Sequence, residues 1–170
     1  MNYILIGQRN VGKSSIFNII NKKNINIVNS IGGSTRDWII GKIINKDYSY
    51  NIFDTPGVEL NSNEYLLENI LKLIKKKYNN RVAFLFVIDG KKKLSFNDKE
   101  ILNWLRKFNN NIILIINKID NHKIDLETNI FFELGIKNVF KTSCSHKLGF
   151  EKLFKFLSNE DFLQKRVDNK

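Results

Sequence analysis

This chain has one cysteine, one proline, one methionine and two histidines among its 170 residues. Each scarcity excludes something. Cys144, alone, can form neither an internal disulfide nor a cysteine metal cluster, which fits a reducing compartment. With Pro56 as the only proline, there is no proline-rich linker or polyproline arm. His122 and His146 stand far apart in the sequence and read as surface or loop residues rather than catalysts. No apolar run approaches the roughly 20 residues that a bilayer span needs. The opening MNYILIGQRN lacks the basic region and the apolar length of a signal peptide. A cytoplasmic protein with no membrane partner is the expectation.

Acidic residues are also outnumbered, 17 against 28 basic ones, for a net charge of +11. Such a balance suits an RNA-rich partner. Only five of the basic residues are arginine, however, and lysine, asparagine and isoleucine dominate the chain. An AT-rich genome writes that mixture at any tolerant surface position, so both readings stand. Runs such as Lys75-Lys76-Lys77 and Lys91-Lys92-Lys93 lack arginine and, as sequence, an accompanying exposed aromatic.

What is present is ordinary for a globular domain: 42% hydrophobic residues, enough chain for one well-built core and too little for two. Short apolar runs alternate with amphipathic stretches. Strands are expected at Tyr3–Ile6, Ile39–Ile44, Tyr48–Phe53, Val82–Ile88, Ile112–Ile116 and Val139–Lys141. Helices are expected at Lys13–Lys22, Glu64–Tyr78, Asn97–Phe108, Asp125–Leu134 and Phe150–Leu157. The runs 82–88 and 112–116 are apolar at every position, as strands covered on both faces are. The alternation predicts an α/β fold, a mostly parallel central sheet with helices on both faces. Ligands of such sheets bind beyond the carboxyl ends of the strands, and the polar motifs fall there.

The first motif is Gly7-Gln8-Arg9-Asn10-Val11-Gly12-Lys13-Ser14-Ser15, which fits GxxxxGK[ST] between a strand and a helix. Glycines let the backbone wrap an anion, and amides at the helix N-terminus point at phosphate oxygens. Lys13 would neutralise the β- and γ-phosphates of a nucleotide, and Ser14 would hold Mg2+. The second is Asp54-Thr55-Pro56-Gly57. Here Asp54 would reach Mg2+ through water and the Gly57 amide would approach the γ-phosphate. The third, Asn117-Lys118-Ile119-Asp120, is the guanine-reading NKxD arrangement. The Asp120 carboxylate can accept from both N1–H and the 2-amino group of guanine, a pairing adenine cannot supply. The fourth is Thr142-Ser143-Cys144-Ser145, whose Cys144 and Ser145 amides could meet the guanine oxygen, with Cys144 a small pocket residue rather than a nucleophile. Between the first two lies Gly32-Gly33-Ser34-Thr35-Arg36-Asp37, where Thr35 is placed to be a second Mg2+ ligand.

Together the five stretches resemble the translation-factor-like branch of the P-loop GTPases, with a Ras-like G domain over 1–158 and a polar tail or linker over 159–170. The chain is most similar to the first G domain of the ribosome-assembly GTPase family Der, also called EngA. The resemblance rests on Ser34-Thr35-Arg36-Asp37, on FVIDGKKKLSFNDKEILNWLRK, and on FFELG followed by TSCSHKLGFEKL. It implies GTP hydrolysis in large-subunit ribosome biogenesis, with a ribosomal precursor or its RNA as partner. It also implies a second G domain and a KH-like domain, so that the chain is either an excised domain or a reduced protein. The relatives MnmE and Era, acting in tRNA modification and small-subunit assembly, are the alternatives, as is a GTP-sensing module with negligible hydrolysis. DTPG departs from the DTGG usual in the first Der domain.

Ras-type enzymes orient water with a glutamine just after DxxG; here Val58 stands there. The resemblance implies K+ in place of an arginine finger, with Asn10 among its ligands. The catalytic group is then Lys13, Asn10, Thr35 and Gly57, and hydrolysis is slow and K+-stimulated. The alternative for Asn10 is a turn-friendly loop residue.

Overall fold

The computed structural model describes residues 1–22, 26–31, 38–44, 48–55, 57, 68, 72, 76, 81–108, 111–121, 131 and 133–159. In chain order its elements are β1 (Asn2–Ile6), α1 (Lys13–Lys22), β2 (Asn26–Ile31), β3 (Trp38–Ile44) and β4 (Ser49–Asp54). There follow β5 (Val82–Asp89), α2 (Phe96–Lys107), β6 (Asn111–Asn117), β7 (Asn138–Lys141) and α3 (Phe150–Leu157). The sheet order is β2-β3-β4-β1-β5-β6-β7. Pairs from β4 through β7 are parallel, while β2–β3 and β3–β4 are antiparallel.

Apart from their ends, the central strands β1, β5 and β6 are apolar because both faces are covered. Ile4, Ile6, Phe84 and Phe86 pack with Ile101, Trp104 and Leu105 of α2. The alternate residues Tyr3, Leu5, Ala83 and Leu85 pack on the other side with Ile16 and Ile20 of α1 and Leu153 and Leu157 of α3. Each leucine, isoleucine and phenylalanine among these contributes about 1.5–3 kcal/mol when fully buried, so the two layers clamp the sheet. The Tyr3 hydroxyl donates to the Leu157 carbonyl at 3.1 Å and fixes the end of α3 against β1. Helix α2 starts at a capping box. The Ser95 hydroxyl accepts from the Asp98 amide, and the Asp98 carboxylate accepts from the Ser95 amide.

The expected layout holds, with most element ends moved by one residue. Strand β2 is an addition to it: Asn and Ser are poor strand formers, and this segment is held by pairing to β3 at the sheet edge. Of the expected helix 125–134, the described residues Phe131, Glu133 and Leu134 lie in a tighter 3-10 turn; the rest lies outside the described residues. Positions 68, 72 and 76 of the expected helix 64–78 are helical. Trp104 is buried, as a packing residue should be, whereas the Trp38 side chain and His122 lie outside the described residues. Among the described residues, no helix is long and apolar enough to cross a membrane.

Candidate functional site

Because β1, β4, β5, β6 and β7 run parallel, the loops that follow them share one edge of the sheet. There they border a cleft of about 1110 Å3, lined by residues of all four described motifs.

One end is built by the loop between β1 and α1. Asn10 (φ 62°) and Gly12 (φ 103°) take left-handed backbone conformations, which turn the chain tightly into α1. Gly12 has a second reason to lack a side chain: a Cβ there would lie 2.2 Å from the Asn117 Nδ2. Lys13, only 6% exposed, donates from Nζ to the carbonyls of Gly7 (3.0 Å) and Gln8 (2.7 Å). Burial pushes its pKa down to about 8, opposed by the nearby Asp54 carboxylate.

Asp54 ends β4 beside it. Burial raises its pKa, while hydrogen bonding from Ser14, the Lys13 charge and the Thr55 backbone oppose that shift. The Asp54 Oδ1 is buried without a hydrogen-bond partner. A buried carboxylate oxygen lacking a partner, with the Ser14 hydroxyl on the same carboxylate, is a hard oxygen donor set that fits Mg2+. The Thr55 hydroxyl donates to the Leu5 carbonyl at 2.6 Å, locking this turn to β1. Gly57 then passes so close to the first loop that a Cβ would lie 2.8 Å from the Arg9 nitrogen.

At the other end Asn117, 1% exposed, joins three loops. Its Nδ2 donates to the Val11 carbonyl at 2.9 Å, and its Oδ1 accepts from the Thr142 hydroxyl (3.1 Å) and the Cys144 thiol (3.3 Å). Lys118, at φ 69°, reaches the Asp89 Oδ2 at 2.7 Å. The Asp120 Oδ1 accepts from the hydroxyls of Ser143 (2.6 Å) and Ser145 (2.9 Å). Its Oδ2 faces the Lys91 ammonium at 2.5 Å. Lys91 above all, then the two hydroxyls, hold this carboxyl well below the usual carboxylate range, so it is ionised. Burial pushes the Cys144 thiol up to about 11, which suits a neutral pocket residue.

The structure thus brings Arg9, Asn10, Lys13, Ser14 and Ser15 into one cleft with Thr55 and Gly57, with Asn117, Lys118 and Asp120, and with Cys144 and Ser145. Gln8 turns away, donating from Nε2 to the Ser95 hydroxyl and the Asp98 Oδ1, both at 2.7 Å. Thr35, Pro56 and Val58 lie outside the described residues. Sequence reading missed Asn18, Ile19, Lys22, Lys91 and Lys147 as lining residues. Helical spacing from Ser14 and Ser15 could have found the first three. Phe96 corrects one expectation: it is 75% exposed, so the Lys91–Lys93 run does have an exposed aromatic nearby.

The family model described as 50S ribosome-binding GTPase matches residues 2–118. The GTPase Der of Clostridium kluyveri is 33% identical over 165 residues, 97% of this chain but 36% of that protein. The GTPase Der of Aquifex aeolicus is 32% identical over 161 residues, covering 92% of this chain and 37% of its own length. The chain therefore spans little more than a third of these relatives. Among solved structures, the G domain of the T. maritima FeoB iron transporter superposes with a TM-score of 0.66 at 26% identity, covering 91% of this chain and 94% of that one. A single-residue variant of Aquifex aeolicus Era bound to GDP·AlF4− gives 0.69 at 24% identity, over 92% of this chain and 55% of that one, and shares the fold.

Proposed function

The chain belongs to the 50S ribosome-binding GTPase family, and from that premise we propose that it binds GTP and GDP and hydrolyses GTP to GDP and phosphate. The observation that supports this most is the bond from Asn117 to the Val11 carbonyl. It joins the phosphate loop and the NKID loop into one cleft, with a buried cation at one end and an ionised carboxylate at the other.

In this reading the loop Gly7–Ser15 wraps the phosphates, with amides at the start of α1 and the Lys13 ammonium meeting their charge. Lys13 exchanges its two carbonyl partners for phosphate oxygens. The Gly57 amide approaches the γ-phosphate from the side of Arg9. Asp120 accepts both donor groups of guanine, Lys118 lies along the base, and the Cys144 and Ser145 amides meet its oxygen. Ser14, Asp54 (through water) and Thr35 would hold Mg2+, and Asn10, exposed in the cleft, would be a ligand of K+. When bound, these cations neutralise charge that develops on the phosphates, the role an arginine finger plays elsewhere. The reading extends to a cytoplasmic role in large-subunit assembly. A ribosomal precursor or its RNA would be the partner there, engaged together with a second G domain and a KH-like domain.

Single-turnover hydrolysis in KCl and NaCl tests it. We expect slow hydrolysis that is faster in KCl, and an Asn10→Ala variant that loses the difference. Equal rates in both salts would remove the K+ role. Nucleotide binding without hydrolysis would leave a GTP-sensing module, and ATP competing as well as GTP would overturn the guanine reading altogether.

A further inference from the structure

We propose that Lys91 is an internal competitor for guanine: its ammonium occupies the carboxylate that reads the base, and guanine binds by displacing it. This deepens the reading above and rests on its assignment of Asp120.

Three observations carry it. First, both oxygens of Asp120 are engaged. Oδ2 holds the Lys91 Nζ at 2.5 Å, and Oδ1 accepts from both Ser143 and Ser145. Guanine offers N1–H and the 2-amino group side by side and needs both oxygens, so its donor to Oδ2 competes with the ammonium there and its donor to Oδ1 with the two hydroxyls.

Second, the placement of Lys91 is built rather than incidental. The register pairs Asp89 with Asn117, so the loops after β5 and β6 emerge together. The Gly90 amide then donates to the Asn117 carbonyl at 2.7 Å, and the Lys91 amide donates to the Asp89 Oδ1 at 3.0 Å. The other oxygen of Asp89 holds Lys118. One carboxylate therefore sets the backbone that carries Lys91 and the side chain of the NKID lysine.

Third, the placement singles out Lys91 from its neighbours. Lys91 lines the cleft, whereas Lys92 and Lys93 line a separate depression beside Gln8 and Ser95.

The sign of the effect separates this from general electrostatics. A cation near a negatively charged nucleotide ordinarily aids binding, so its removal should weaken binding. A cation that must be evicted does the reverse. The pair is about half exposed on the lysine side, and such ion pairs are modest, so removing the competitor should tighten binding by about 2- to 5-fold. High salt, which screens an exposed pair, should shrink the difference. Inosine diphosphate lacks the 2-amino group and needs only one oxygen of Asp120, so it competes less with the lysine.

The test is titration of the whole chain, wild type and Lys91→Met, with GDP carrying a fluorescent ribose label, at low and high NaCl. Unlabelled GDP and inosine diphosphate serve as competitors. Lys91→Met should bind GDP about 2- to 5-fold more tightly at low salt, with a smaller gain for inosine diphosphate and a smaller gain at high salt. Lys91→Arg, which keeps the cation, should match the wild type. Unchanged or weaker GDP binding by Lys91→Met, or equal gains for the two nucleotides, would overturn the proposal while the guanine reading stands. A wild type that does not bind GDP would overturn both.

Discussion

At one end of the cleft Lys13 is buried, and its ammonium is held by two backbone carbonyls. At the other, Lys91 is about half exposed, and its ammonium is held by the Asp120 side chain. In the proposed reading a nucleotide would replace both contacts, but they are set by different means. The Lys13 end is a backbone shape, enforced by left-handed residues and close approaches, and burial sets its charge. The Asp120 end is a set of side-chain hydrogen bonds on a partly exposed carboxylate. Shape resists substitution through stability, whereas a side-chain network resists it through selectivity.

Asp120→Asn should give the largest separation between the two ends. Guanine would meet a donor where it needs an acceptor, so GDP affinity should fall by about 100-fold, the scale of losing a charged hydrogen-bond partner. Xanthine, with an oxygen in place of the 2-amino group, should then bind better than guanine. Competition between GDP and xanthosine diphosphate reads this out, and unchanged GDP affinity would show that the base lies elsewhere. Folding should be little affected, because the side chain is partly exposed.

Gly12→Ala should do the opposite and strike stability. It sets a Cβ against Asn117 Nδ2 at a φ that alanine avoids. We expect a loss of about 2–3 kcal/mol in chemical denaturation. A stable variant would mean that the phosphate loop is less constrained than its geometry implies.

The smallest effect is a proton. Lys13 has its pKa lowered to about 8 by burial, so close to pH 8 it is part neutral. Phosphate favours the ammonium and raises the pKa again, so GDP binding at pH 8 should take up about half a proton. Calorimetry in buffers of different ionisation enthalpy measures the uptake. No uptake would place the Lys13 charge outside the binding equilibrium.

Much of this was legible because interior parallel strands announce themselves: nothing in 82–88 or 112–116 could face water. The same logic failed for β2, where Asn26, Asn29 and Ser30 give no strand signal and the β3 ladder supplies the order. The motifs could be located at one edge of the sheet because each follows a recognisable strand. Lys91 could not, because a run of three lysines looks like solvated surface. Only the pairing of β5 beside β6 shows that the first of them turns inward. Gln8 was expected among the phosphates for the same kind of reason. Sequence places it in the loop, but not against Ser95 and Asp98, far along the chain.

The bond from Asn117 to Val11 spans 106 positions of sequence. At a synthesis rate of roughly 5–20 residues per second, the phosphate loop leaves the ribosome roughly 5–20 seconds before the residue that braces it. For most of that interval β1 also lacks β5, its neighbour in the finished sheet. A nascent chain therefore has the loop Gly7–Ser15 well before the residue that braces it, and the brace can close only when the strand ending in Asn117 docks.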